Sequence, residues 1–183
     1  MIENDLRYWV KLLEGKEKLE LSKLSFSKTA LAPIISKKTI DIHYDVLTKA
    51  YFEKAEKTGD AFQIAGALLH DLYWKNLQPQ KAAGSKKPLG QTAELIDNKF
   101  GSFNEFKKEF EEQATTIQGN GWCVLTRTGR ILQIPNHKKR DDIILIIDMW
   151  EHAYFLDHGA DKKKYLNLIW KIINWGEVET RLD

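Results

Sequence analysis

A chain of 183 residues with 43% apolar and 30% charged side chains has an ordinary globular balance, enough for one or two small domains around a sizeable core. Its net charge of +2 argues against an obligate nucleic-acid binder, and no stretch is long and apolar enough to span a bilayer. Cys123 is the only cysteine, which excludes an internal disulfide and any CxxC metal motif.

In chain order, the first segment, Met1-Ile2-Glu3-Asn4-Asp5, is acidic and does not read as a signal peptide, so a cytoplasmic location is expected. Residues 4–21 carry Leu6, Trp9, Val10 and Leu13 at helical spacing, and residues 1–22 read as a front extension. Leu24 to Pro33 reads as a loop, and Ser36 as the N-cap of a helix reaching Lys57. His43, Leu47, Ala50 and Tyr51 share one face of that helix. Thr58-Gly59-Asp60 breaks the pattern, and a second helix follows to about Lys75 with Phe62, Ala65, Leu69, His70 and Tyr73 on its apolar face. So short a turn makes the pair antiparallel, with His43 and His70 facing one groove at heights differing by roughly 7 Å.

Gln78 to Pro88 is a polar linker and the expected boundary between a hairpin domain, 23–80, and a second domain, 88–183. Leu89 to Asn98 and Ser102 to Gln118 read as helices, the latter opened by a Ser102/Glu105 capping box. Trp122 to Thr126 and Arg130 to Ile134 flank a hairpin turn, and Ile143 to Ile147 is a buried strand ended by Asp148. Lys162 to Val178 reads as one helix. The expected class is α+β: an N-terminal antiparallel helical hairpin, then an α/β domain with a small three-stranded antiparallel sheet.

Two histidines on the inner faces of a helix pair, an aspartate ending a buried strand and a histidine four residues later form the chemical constellation: His43, His70, Asp148 and His152. Burying three imidazoles and a carboxylate without a shared partner is costly, and a metal removes that cost. Spacing alone leaves hydrogen-bonded core histidines as the commoner reading.

The run Asp148-Met149-Trp150-Glu151-His152-Ala153-Tyr154 resembles the D-x-W-E-H-A-Y signature of the iron/manganese superoxide dismutases. Further matching pieces come in family order: Ala30-Leu31-Ala32-Pro33, Thr39-Ile40-Asp41-Ile42-His43-Tyr44, His70-Asp71-Leu72-Tyr73-Trp74, Phe100-Gly101-Ser102-Phe103, Gly119-Asn120-Gly121-Trp122 and Asn174-Trp175. The resemblance implies that His43, His70, Asp148 and His152 hold one Fe or Mn ion per subunit and that superoxide is disproportionated to oxygen and hydrogen peroxide. With one carboxylate, the site's net charge stays constant if each electron travels with a proton. The resemblance also implies that Tyr51 relays protons, and that Trp74, Trp122 and Trp150 form an apolar wall. The family's outer hydrogen-bond donor has two known origins. The position four residues before the second ligand is Gly66 here, so His137, in Pro135-Asn136-His137, takes the role.

Glu151 resembles the residue that reaches the last ligand histidine of a partner subunit, which implies a homodimer. Leu47 and Phe155 stand where the family usually has a polar pair across that interface, so an apolar contact is expected there. Lys138, Lys139 and Arg140 are candidates for steering an anion, against the commoner reading of a solvated loop. His158 has no matched role and is expected to be exposed. Two other readings compete: a structural protein with this fold and no catalysis, which tends to lose ligands, and a non-haem oxygenase, which typically uses two histidines and one carboxylate.

Overall fold

Ser36 stands in extended conformation and its hydroxyl accepts from the Thr39 amide, which starts the first rod. The computed structural model describes residues 19–82 and 84–182. The rod runs as α1 (Lys37–Ile42), a π-helical segment (His43–Thr48) and α2 (Lys49–Thr58). It is thus continuous, as expected, but wider-wound in the middle than its periodicity suggests. Thr48 Oγ1 donates to the His43 carbonyl five residues back at 2.7 Å and accepts from Trp74 Nε1 at 3.0 Å. Such π segments recur at functional sites. Asp60 then caps α3 (Ala61–Lys75) through the Gln63 amide, and α3 packs back along α2.

The second half opens with α4 (Gly90–Phe100) and α5 (Phe103–Thr115), the latter capped by Ser102 on the Glu105 amide. Strands β1 (Gly121–Thr126), β2 (Ile131–Pro135) and β3 (Ile143–Asp148) form an antiparallel sheet in the order β2-β1-β3. Every residue of β1 and β3 is buried, because helices cover both faces. Register sets Trp122 opposite Asp148. Helix α6 (Glu151–His158) leaves the end of β3 directly, followed by α7 (Lys162–Ile169), a 3-10 turn (Trp170–Ile172) and α8 (Trp175–Glu179).

The single tail helix expected from Lys162 to Val178 is therefore broken. Ile173 is extended and bridges Leu77, while Gln78 N donates to Ile172 O and Asn174 N to Asn76 O. Backbone pairing with the end of α3 outweighs helix propensity there. The helix read over residues 4–21 lies for the most part outside the described residues. Residues 19–22 are not helical: Leu19 is buried against Phe52, Ala55 and Ala67, and Ser22 donates through N and Oγ to Asp71. One apolar core joins α3 to the sheet and to α5–α8, so the hairpin and the second half share it. Among the described residues no helix is long and apolar enough to cross a membrane.

Helix α4 has no side-chain cap of its own, since Leu89 precedes it. Its Gln91 and Thr92 amides donate instead to the Glu179 carboxylate at 2.7 and 2.9 Å. Gly90 is required by this approach: its φ is +43°, and a Cβ would stand 2.3 Å from Glu179 Oε1. Burial pushes the Glu179 carboxyl up, but the bonds from Thr92 and Gln91 outweigh it and hold the group below its ordinary value. Glu179→Ala is expected to cost about 1–2 kcal/mol at neutral pH. Because the folded value is depressed, this contribution is present above the ordinary glutamate range and is lost as pH falls through the folded value. Urea melts of both proteins at neutral pH and near pH 3 check this, with the difference expected to shrink in acid.

Candidate metal centre

Four elements deliver the four side chains. His43 begins the π segment, His70 lies in α3, Asp148 ends β3 and His152 lies in the first turn of α6. One donor atom from each falls within 4.8 Å of the others. Asp148 Oδ2 is the hub, 3.1 Å from His43 Nε2, 3.2 Å from His152 Nε2 and 3.9 Å from His70 Nε2. Asp148 Oδ1 accepts from the Trp150 amide at 2.8 Å, which fixes the carboxylate plane. His70 Nδ1 donates to the Gly66 carbonyl at 2.6 Å, so its Nε2 carries the lone pair that faces the hub and is free to ligate.

His43, His70 and Asp148 are fully buried, and His152 retains 17% side-chain exposure. Burial holds the His43 imidazole down at about 4 and His70 well below its ordinary value, so both are neutral at physiological pH. Burial alone would raise Asp148, but the charge and hydrogen bond of His152, then the close approach of His43, hold it below the usual carboxylate range. Despite their closeness to Asp148, His43 Nε2 and His70 Nε2 have no aligned hydrogen-bond partner. Orphaned buried nitrogens on neutral imidazoles, converging on one ionised carboxylate, are what a cation resolves. The mixed imidazole and carboxylate set suits iron or manganese.

Around this quartet the aromatic residues read from the sequence form a wall. Trp74 packs on His43 at 4.7 Å between ring centres, Trp122 on His70 at 4.9 Å and Trp150 on His152 at 5.5 Å. Tyr51 stacks on His70 at 5.0 Å, and burial followed by the Asp148 charge raises its phenol. His137 is only 5% exposed, is held down at about 4 by burial, and lies 4.8 Å from Tyr51 and 5.6 Å from His70. The Trp122 indole N–H donates to His137 Nδ1 at 3.2 Å, which puts the remaining proton on Nε2. That Nε2 is buried and has no protein partner.

Gly66 has a role that the sequence reading missed. A Cβ there would stand 2.7 Å from the Tyr51 ring and 3.1 Å from the His137 ring, so the bare backbone is the floor on which the two meet. The available signal was a glycine in the interior of a well-formed helix. Thr48, which pins both His43 and Trp74, was also missed.

Other expected residues lie further out. Glu151 is exposed and makes no ion pair among the described residues, Phe155 is 51% exposed, and Leu47 is half-buried. His158 corrects the expectation of exposure: it is half-buried and its Nε2 donates to the Ile34 carbonyl at 2.8 Å. With Asp157, which accepts from Ser36 N and Thr39 Oγ1, it clamps the start of α1 onto α6. Arg140 is held in a fork by Asp142, whereas Lys138 and Lys139 are exposed.

A family model for the C-terminal domain of iron/manganese superoxide dismutases matches residues 88–181. The chain is 35% identical to "Superoxide dismutase [Fe]" of Methanothermobacter marburgensis, over 92% of this chain and 98% of that protein. It is 37% identical to "Superoxide dismutase [Fe]" of Saccharolobus solfataricus, over 91% and 94%. With "Superoxide dismutase [Mn/Fe]" of Aeropyrum pernix it shares 33% identity, over 91% and 92%. These matches extend across both the helical hairpin and the sheet domain, so the chain belongs to the iron/manganese superoxide dismutase family.

Proposed function

We propose that this protein disproportionates superoxide to oxygen and hydrogen peroxide, using one iron or manganese ion per subunit held by His43, His70, Asp148 and His152. The observation that carries the reading is the pair of orphaned imidazole nitrogens, on His43 and His70, that meet the Asp148 carboxylate in a fully buried pocket. A bound ion supplies a one-electron couple between its 2+ and 3+ states.

The protein's own residues hold protons and exclude water. Two superoxide ions take up two protons to give one oxygen and one peroxide, so proton supply beside the site matters as much as the ion. Tyr51 keeps its phenolic proton, and His137, neutral, offers an N–H at Nε2. The indoles of Trp74, Trp122 and Trp150 limit the water that reaches the quartet. A chain that had kept the fold without the chemistry would not need the full donor set, which favours catalysis over a purely structural role.

A homodimer is part of this reading. Ile42, Val46, Phe155 and Leu156 are exposed apolar side chains on α1, the π segment and α6, and α1 packs against α6. Leu47 lies beside them, and in this dimer Glu151 on α6 would reach the last ligand of the second copy. We assign residues 23–80 and 88–183 to two domains behind a 1–22 extension, and the buried, unpaired thiol of Cys123 suits a cytoplasmic protein.

The test is elemental analysis and a superoxide assay on iron- and manganese-loaded protein. One equivalent of metal per chain with turnover in at least one form is expected, and full metal loading without turnover in either form would leave only the fold. A narrower expectation concerns Trp122. In Trp122→Phe the proton of His137 is no longer fixed on Nε2, so turnover should fall about tenfold with a displaced pH profile and unchanged metal content. Rates measured across pH together with metal analysis check it.

A further inference from the structure

Two helix starts are held by a carboxylate from elsewhere in the chain. Glu179 serves α4, and Asp157 of α6 serves α1. Asp157 Oδ2 accepts from the Ser36 amide and from the Thr39 hydroxyl, both at 2.8 Å. In a capping box, the side chain three residues past the N-cap reaches back to the N-cap amide. That residue here is Thr39, which has no carboxylate, so Asp157 supplies one from 121 positions away. Thr39 is fully buried, and Ser36 and Asp157 are half-buried.

The two capped helices differ in what they carry. None of the quartet lies on α4, whereas α1 leads directly into His43, and His152 lies five residues before Asp157 on α6. The His43 amide donates to the Thr39 carbonyl, so the residue that Asp157 grips is bonded to the first ligand. From His43 onward the winding is π-helical and is held by Thr48. Asp157 anchors the other side. The rod and α6 therefore meet at two places. One is the Asp157 carboxylate. The other is the pair of His43 and His152 rings, 4.4 Å between centres, closer than His43 to His70 at 5.0 Å or His70 to His152 at 5.6 Å.

We propose that Asp157 is a positioning residue for the metal centre: by holding the first turn of α1 against α6, it sets the spacing of the His43 and His152 imidazoles. This rests on the functional reading above. Asp157 acts through the Thr39 backbone on one side and through its own helix on the other. A misplacement of about 1 Å, caused far from a site, can cost on the order of 100-fold in what the site does. Groups directly behind metal ligands change metal affinity by about 10–100-fold when removed. Asp157 stands one step further back, so the lower end of that range applies. The His158 bond to the Ile34 carbonyl, at 2.8 Å, fastens the same junction.

The test uses the iron-loaded protein and two readings: the rate at which a chelator withdraws the iron, and the ferric optical spectrum. Asp157→Ala is expected to release iron about tenfold faster, with a displaced spectrum. Thr39→Val, which removes one of the two donors, should move both readings the same way by less. The double variant should go no further than Asp157→Ala, because both changes cut one contact. Asp157→Asn keeps an acceptor oxygen and should recover most of the wild-type behaviour. Glu179→Ala is the control for a merely structural cap: it loses stability in urea but should leave both readings at wild type. Should Asp157→Ala fail to fold, Thr39→Val and Asp157→Asn carry the comparison. Wild-type readings in the folded variants, or an equal change in Glu179→Ala, overturn the role of Asp157 alone. Failure of the wild type to hold iron overturns the functional reading and this one with it.

Discussion

His152→Ala is expected to fold, to lose iron or manganese on dialysis, and to lose superoxide turnover by about 100-fold or more. His152 is the most informative of the four positions because it is the least buried, with 17% side-chain exposure against 0% for His43 and Asp148. Truncating His43 or His70 would leave a closed cavity, and the cost to the fold, roughly 2–5 kcal/mol for a large buried side chain, would confuse the result. Truncating His152 opens a space that water can enter. The loss on the apo-protein side is one hydrogen bond to Asp148, at 3.2 Å, and a favourable charge that helps keep the buried carboxylate ionised. A metal held by four side chains stabilises the folded state by about 4 kcal/mol at a thousandfold excess over its dissociation constant. The variant should therefore melt close to wild-type apo-protein and gain nothing on adding metal. Elemental analysis, melting with and without metal, and the superoxide assay together measure this, and unchanged metal content would remove His152 from the site.

The quartet was legible in the sequence through the resemblance of its ordered motifs to a known family, since spacing alone left hydrogen-bonded core histidines as the commoner reading, although each member also sits on a local signal. His43 and His70 fall on the inner faces of a periodic hairpin, and Asp148 closes an uninterrupted apolar strand four residues before His152. The fold class was legible from such signals themselves, since hydrophobic periodicity and the Arg127-Thr128-Gly129 turn are local features. What escaped depends on partners distant in the chain. The tail helix breaks at Ile173 because residues 172–174 find backbone partners at 76–78, almost a hundred positions away. His158 turns inward because the Ile34 carbonyl, 124 residues upstream, accepts its proton. The π winding at His43–Thr48 leaves little trace in a residue pattern, because it is made by Thr48 bonding backward and by Trp74 approaching from α3. Nor does composition reveal that Gly90 is bare so that Glu179 can cap α4.

Arg181 is the extreme case of such a distant partner, and Arg181→Ala carries the largest stability loss expected outside the core, about 3–5 kcal/mol. Its guanidinium, only 11% exposed, donates to the Ile144 carbonyl at 2.9 Å, the Leu72 carbonyl at 3.3 Å, the Asn76 side chain and the Glu177 carboxylate. Asn76 in turn donates to the Ile146 carbonyl at 2.9 Å and is fully buried. One planar fork thus ties the end of α3, the middle of β3 and α8. A lysine cannot reproduce it, because its single ammonium has no fixed pair of parallel donors, so Arg181→Lys should recover only a small part of the loss. Glu177→Gln is the control. That pair is half-exposed on the glutamate side, 32%, so it should cost no more than about 1 kcal/mol. The consequence reaches the metal centre by geometry: Leu72 lies two residues beyond His70, and Ile144 is the second residue of the strand that ends at Asp148. Urea denaturation of the three variants with metal bound and removed should therefore show that Arg181→Ala loses stability in both states and loosens the hold on the metal, while Glu177→Gln does neither. A loss below 1 kcal/mol in Arg181→Ala would mean that water replaces the fork without cost.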